Sequence, residues 1–122
     1  MEYEIFERDF IVRTLEIIKQ YEKWVVPNTS ESEQYEVTLL INCLLGLLVL
    51  PKERCYVNIP DKSIEELKGW GLESRFIKDW GRIRKNQHTL KELIHRMRNS
   101  VAHIRIKPHG NGTKITGLEF SD

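Results

Sequence analysis

Arg98-Asn99-Ser100-Val101-Ala102-His103 places a guanidinium, an amide and an imidazole within six residues. Imidazole moves protons near neutral pH. Guanidinium grips a phosphate through a planar pair of donors. Together they suit phosphodiester chemistry that requires neither metal nor cofactor. The four histidines, His88, His95, His103 and His109, lack thiolate partners and HExxH-like spacing, so they make a poor zinc site.

These residues need a helix to carry them. Thr89-Leu90-Lys91-Glu92 has the form of a capping box that opens one. With Leu90 at zero and about 100° per residue, Leu93, Ile94, Met97 and Val101 fall on one apolar stripe. Arg98 falls at about 80°, His95 at about 140°, Asn99 at about 180° and His103 at about 220°. That is an outer arc facing away from the stripe. Asn99 and His103 are helical neighbours. Arg98 and His103 are about 140° apart, so they converge only where the helix ends or bends. A site on an outer arc is enclosed only if something covers it. A second copy related by a two-fold axis would do so, and the expected site is therefore shared within a homodimer.

The charge is unevenly spread. Residues 1–74 hold 8 Lys/Arg against 14 Asp/Glu, whereas residues 75–109 hold 10 Lys/Arg against 2 Asp/Glu. The hexapeptide lies in the basic segment, which favours a polyanion such as RNA. Arg82, Arg84, Lys85, Arg96 and Arg105 are the candidate RNA-binding residues. The bland reading is a solvated or internally paired basic face. Trp24, Trp70 and Trp80 could stack on bases, but in a small helical domain they are expected in the core. Arg13 is expected to turn towards the site or to pair with Glu16 or Asp9.

A length of 122 residues suits one domain, residues 1–122. Cys43 and Cys55 share no CxxC spacing and read as reduced thiols of a cytoplasmic protein, with Cys43 in the core. The apolar run from Val37 to Leu50 is 14 residues long, short of the roughly 18–20 needed to span a bilayer. It reads as a central helix ended by Pro51, with no membrane partner.

Elsewhere, Asp9 is expected to cap a first helix that ends at Pro27-Asn28. Ser30-Glu31-Ser32-Glu33 has the form of a capping box for a second helix reaching Leu50. Residues 51–60 read as a loop with an extended piece at Cys55–Ile59. Ser63-Ile64-Glu65-Glu66 opens a short helix that stops near Gly69-Trp70-Gly71, and a helical stretch is expected over residues 72–85. Alternation at 104–107 and 114–120, around a glycine-rich turn at 108–112, predicts a β-hairpin. The fold class is mainly α, a bundle of four to five helices with a C-terminal hairpin.

Arg98, Asn99 and His103, at the end of the last long helix and after a strongly apolar one, resemble the signature of the HEPN superfamily (higher eukaryotes and prokaryotes nucleotide-binding domain). That signature is an Arg, four to six residues, then a His, often with a polar residue after the Arg. The segments Phe10-Ile11-Val12-Arg13-Thr14-Leu15 and Tyr35-Glu36-Val37-Thr38-Leu39-Leu40-Ile41-Asn42 are similar to those of a compact plasmid-borne bacterial subgroup of HEPN nucleases. The resemblance implies a HEPN-like bundle and a homodimeric, metal-independent endoribonuclease. It also implies a role as a toxin, with a possible antitoxin protein partner, or in defence against phage. His103 would take the 2′-hydroxyl proton or protonate the leaving 5′-oxygen. Arg98 would hold the phosphate, Asn99 would orient His103 or a phosphate oxygen, and His95 is a possible auxiliary. A 2′,3′-cyclic phosphate product follows. Some HEPN toxins carry a modifiable tyrosine two residues after the motif histidine; Arg105 stands there in this chain. The alternative is a non-catalytic HEPN-like module for nucleotide or RNA binding, or for assembly.

Overall fold

The computed structural model describes residues 3–110 and 115–122. It is mainly helical with a C-terminal two-stranded antiparallel sheet. Helix α1 spans Phe6–Gln20 and runs on through a wide i→i+5 turn, Tyr21–Val25, to a tight turn at Val26–Asn28. The side chains of Asn28 and Thr29 donate to the carbonyls of Trp24 and Val25, which satisfies acceptors left open at the helix end. Asp9 does not cap this helix, which starts earlier. Its carboxylate instead reaches back to accept from the N–H groups of Glu4 at 2.9 Å and Ile5 at 3.3 Å.

The second helical segment differs from its expected form at both ends. Ser30 makes no capping hydrogen bond, and residues Glu31–Glu33 form only a tight turn. Helix α2 spans Glu36–Leu44, a wide i→i+5 turn spans Leu45–Val49, and α3 spans Leu50–Arg54. Pro51 therefore does not stop the helix. The widened turn just before it loosens the backbone where proline lacks the N–H of a regular bond. By length and composition alone, the run Glu31–Arg54 is apolar enough to cross a membrane. Its inward side supplies the core residues Cys43, Leu44 and Leu48.

Gly46 lies where this segment crosses α1. A Cβ there would sit 2.5 Å from Thr14 Oγ1 and 2.8 Å from the Phe10 ring. Thr14 is buried, and its hydroxyl donates to Phe10 O at 2.8 Å.

The expected extended piece at Cys55–Ile59 is a tight turn, Tyr56–Asn58, anchored by buried Ile59. Ser63 and Glu66 do form a capping box, but the helix it opens, Ile64–Trp70, is a 3-10 helix ended by left-handed Gly71. Ile64 and Leu67 bury its inner face. Residues 72–85 form no α-helix. They hold a tight turn, Ser74–Phe76, a second closed by Ile83 N–H on Trp80 O around left-handed Gly81, whose own N–H donates to Asp79, and the start of a third, Lys85–Gln87. Trp24 and Trp70, expected in the core, are 60% and 61% exposed. Trp80 stacks instead on His88, with ring centroids 4.1 Å apart.

Helix α4 spans Leu90–Ala102. Thr89 caps it, its hydroxyl accepting from Glu92 N–H, but the expected capping box is only half formed, since Thr89 N–H donates to Gln87 O and the Glu92 carboxylate accepts from Arg96. Main-chain bonds from Ile64 N–H to His88 O and from Leu90 N–H to Lys62 O pin its start to the 3-10 segment. The half-buried stripe of α4 packs on the Leu45–Val49 turn. Strand β1, Ile106–Gly110, pairs antiparallel with β2, Ile115–Phe120, and Ile106 faces Phe120 in register. Residues 108–110 of the expected turn are paired in β1 instead, and residues 111 and 112 lie outside the described residues.

Candidate active site

Arg98 is brought to α3. Its side chain is 30% exposed, and Nε lies 3.0 Å from Glu53 Oε1. Nε is buried and its N–H is not aligned on that oxygen, so the contact is an ion pair rather than a hydrogen bond. At its tip, Nη1 donates to Asn99 Oδ1 at 3.2 Å.

The Asn99 amide donates in turn to Asp122 Oδ2 at 3.2 Å. Asn99 therefore links Arg98 to the end of the hairpin, and its bond to His103 is through the main chain, His103 N–H to Asn99 O at 3.0 Å. The His103 imidazole is exposed at the C-terminal end of α4, whereas His95 is half-buried on the same helix.

Asp122 also accepts from Arg96 Nη1 at 3.1 Å and lies 3.6 Å from Arg105 Nη1. Arg96 holds Glu92 as well, at 2.9 Å. Both proposed RNA contacts at 96 and 105 thus meet on one carboxylate. Arg82, Arg84 and Lys85 are exposed on the irregular stretch before α4. Arg13 places its guanidinium over the Tyr3 ring, 4.1 Å from the centroid. Among the described residues, no group of three or more His, Cys, Asp or Glu side chains is placed to hold a metal ion.

Burial pushes the Asp122 carboxyl up, but hydrogen bonds from Asn99 and Arg96 and the charges of Arg96 and Arg105 together outweigh it and hold the pKa below the usual aspartate value. Charged Asp122 therefore stabilises the fold at every pH above the ordinary aspartate value of about 3.9, and that contribution is lost as pH falls through the lower folded value. Asp122→Asn is expected to melt at a lower temperature than wild type at pH 7. The gap should narrow in melts run below about pH 3.9. A constant gap down to about pH 3 would show that the charge on Asp122 is not what stabilises the fold.

Ser100 was missed in reading the sequence as chemistry. It is fully buried, its hydroxyl donates to Arg105 O at 2.7 Å, and it accepts from Ser121 N–H at 3.2 Å. It joins the end of α4 to the hairpin that carries Asp122. Its position on the helix, next to Leu93 on the apolar flank, was the available signal. Ser100→Ala removes two hydrogen bonds from the joint and leaves only the one between Ser121 N–H and Arg105 O, at 3.1 Å, to hold the hairpin end to α4. A loss of about 1–3 kcal/mol in denaturant unfolding is expected. A change within about 0.5 kcal/mol would remove this joint from the account.

The expected strand does not begin at Ile104. The N–H groups of Ile104 and Arg105 donate to Val101 O and Ser100 O, at 3.1 and 2.7 Å, and this pair of bonds closes α4. Ile104 adopts φ +55°, a left-handed conformation disfavoured for a β-branched residue by about 1–2 kcal/mol, and is 85% exposed. The strained residue sits directly after His103, where backbone strain commonly marks a functional position.

A search of curated proteins and a search of solved structures find no match to this chain. A family model described as HEPN pEK499 p136 matches residues 1–122. It covers every element that positions the Arg98–His103 segment, and it supports a nuclease or RNA-related role. The chain belongs to the HEPN pEK499 p136 family, a plasmid-type HEPN family.

Proposed function

We propose that this chain is a metal-independent endoribonuclease acting as a homodimer through a shared Arg98-x4-His103 site. One imidazole removes the 2′-hydroxyl proton. The 2′-oxygen attacks phosphorus, and the 5′-oxygen leaves with a proton from the partner's copy of the same imidazole. Arg98 holds the phosphate and offsets the charge that builds on it. The products are a 2′,3′-cyclic phosphate and a 5′-hydroxyl end. The biological setting is a cytoplasmic toxin held by an antitoxin, or an anti-phage effector.

The observation that carries this reading is the pairing of a held guanidinium with an exposed imidazole at one end of α4, in a HEPN chain. The surface supports the dimer. The accessible area of 9246 Å² exceeds the roughly 6,900 Å² usual for a monomer of 14.5 kDa. An apolar groove of about 420 Å³, lined by Phe6, Phe10, Leu45, Val49 and Leu50, reaches Glu53, the partner of Arg98. A second copy seated there would cover apolar surface beside the site.

Incubation of the purified protein with tRNA and mRNA in EDTA, followed by end-group analysis and light scattering, tests the reading. Cyclic phosphate ends from a dimer are expected. Binding without turnover would favour the non-catalytic module instead.

A further inference from the structure

The Glu53 carboxylate that meets Arg98 has a second cation beside it. Lys52 Nζ lies 3.7 Å from the same Oε1 atom. Lys52 also stands over the Tyr56 ring, 5.8 Å from its centroid, and Lys91 of α4 stands 5.2 Å from that centroid. Lys91 and Arg98 are seven residues apart, so they share one stripe of α4, separated by about 10 Å of rise. Three cations therefore border a single carboxylate and a single aromatic ring, an excess of positive charge that attracts an anion. Arg54, the next cation along α3, is occupied elsewhere by Glu7 at 3.1 Å.

The ring is presented rather than buried. Tyr56 is 38% exposed on its tight turn, and buried Ile59 fixes the base of that turn. The two ammonium groups over the ring sit on long, flexible stems, so a base that stacks on Tyr56 displaces them towards its adjoining phosphate, where they supply counter-charge. Only an unpaired base has a face free for such a ring.

We propose that Lys52, Tyr56 and Lys91 form a subsite for the nucleotide next to the scissile linkage of a single-stranded RNA. The inference rests on the ribonuclease reading for its scissile linkage, which Arg98 holds. The lysines take the neighbouring phosphate, and Tyr56 stacks on the base.

The test uses the full chain and a fluorescent hexauridylate with every ribose 2′-O-methylated, which removes the attacking hydroxyl. Binding is followed by anisotropy against salt concentration. Lys52→Gln and Lys91→Gln are each expected to flatten the dependence of log K on log salt by about 0.7. Tyr56→Ala is expected to weaken binding about tenfold or more without changing the slope, and Tyr56→Phe to restore it. Wild-type slopes in both lysine variants, Tyr56→Phe binding as weakly as Tyr56→Ala, or no binding by wild type would each overturn the subsite. Cleavage of tRNA and mRNA by wild type is read separately. Its absence alongside the expected slopes would overturn the nuclease reading and leave Lys52, Tyr56 and Lys91 standing as a single-strand binding site.

Discussion

His103→Ala protein is expected to cleave RNA at least about 10³-fold more slowly than wild type, and Arg98→Ala to lose a comparable factor. The two losses have different origins. Without the imidazole, no group at the end of α4 exchanges a proton with the 2′- and 5′-oxygens. Without the guanidinium, the phosphate loses a donor pair and Glu53 loses the cation it faces at 3.0 Å. Arg98→Lys keeps the charge but not the planar fork, so only partial recovery is expected. Because the proposed site is shared, mixing the two inactive proteins is itself informative. Heterodimers would carry one intact imidazole and one intact guanidinium on different subunits. Initial rates with EDTA present, at matched protein concentration, provide the measurement. Full activity in both single variants would end the assignment of roles.

Gly46→Val is expected to destabilise the protein by about 3 kcal/mol, the upper part of the range for overpacked cores. Its Cβ alone would meet Thr14 Oγ1 at 2.5 Å and the Phe10 ring at 2.8 Å. Neither neighbour gives way cheaply. Thr14 is buried and its hydroxyl is tied to Phe10 O, while the Phe10 ring also packs on Phe6, with centroids 5.5 Å apart. Replacing glycine in a helical segment normally gains a few tenths to about 1 kcal/mol, so a loss in this direction isolates the clash. The consequence for the site is indirect. Gly46 lies in the wide turn on which α4 packs, and α3, with Glu53, continues from that turn. Displacing it should weaken RNA cleavage along with stability. Urea unfolding checks the first effect, and a midpoint equal to wild type would show that the two helices separate freely.

The parts of the chain that were legible are those in which neighbours along the sequence do the work. Thr89 and the Leu90–Val101 stripe mark α4 because a cap and a 3.6-residue period are local properties. Alternation over 104–107 and 114–120 marks the hairpin for the same reason, although β1 starts later, at Ile106, and runs on to Gly110 through residues that read as turn. Ser63 and Glu66 were recognisable as a capping box, although their helix has 3-10 rather than α geometry. Local signals misled where packing overrode them. Pro51 reads as a stop, yet the preceding wide turn lets the helix pass. Residues 72–85 contain enough helix formers to suggest a helix, yet Gly81 and the Ser74–Phe76 turn break them up.

Type and spacing along the chain single out Arg98 and His103 as the candidate pair, because the identity of a guanidinium or an imidazole does not depend on the fold. Their partners had no such signature. Glu53 is one of many carboxylates until α3 is laid against α4, and Asp122 is a residue past a strand until the hairpin folds back onto Ser100. Charge pairs and hydrogen bonds act over a few ångströms of space, whatever the separation along the backbone. Which acid meets which base was therefore settled by the packing of helices and hairpin, and not by any period in the letters.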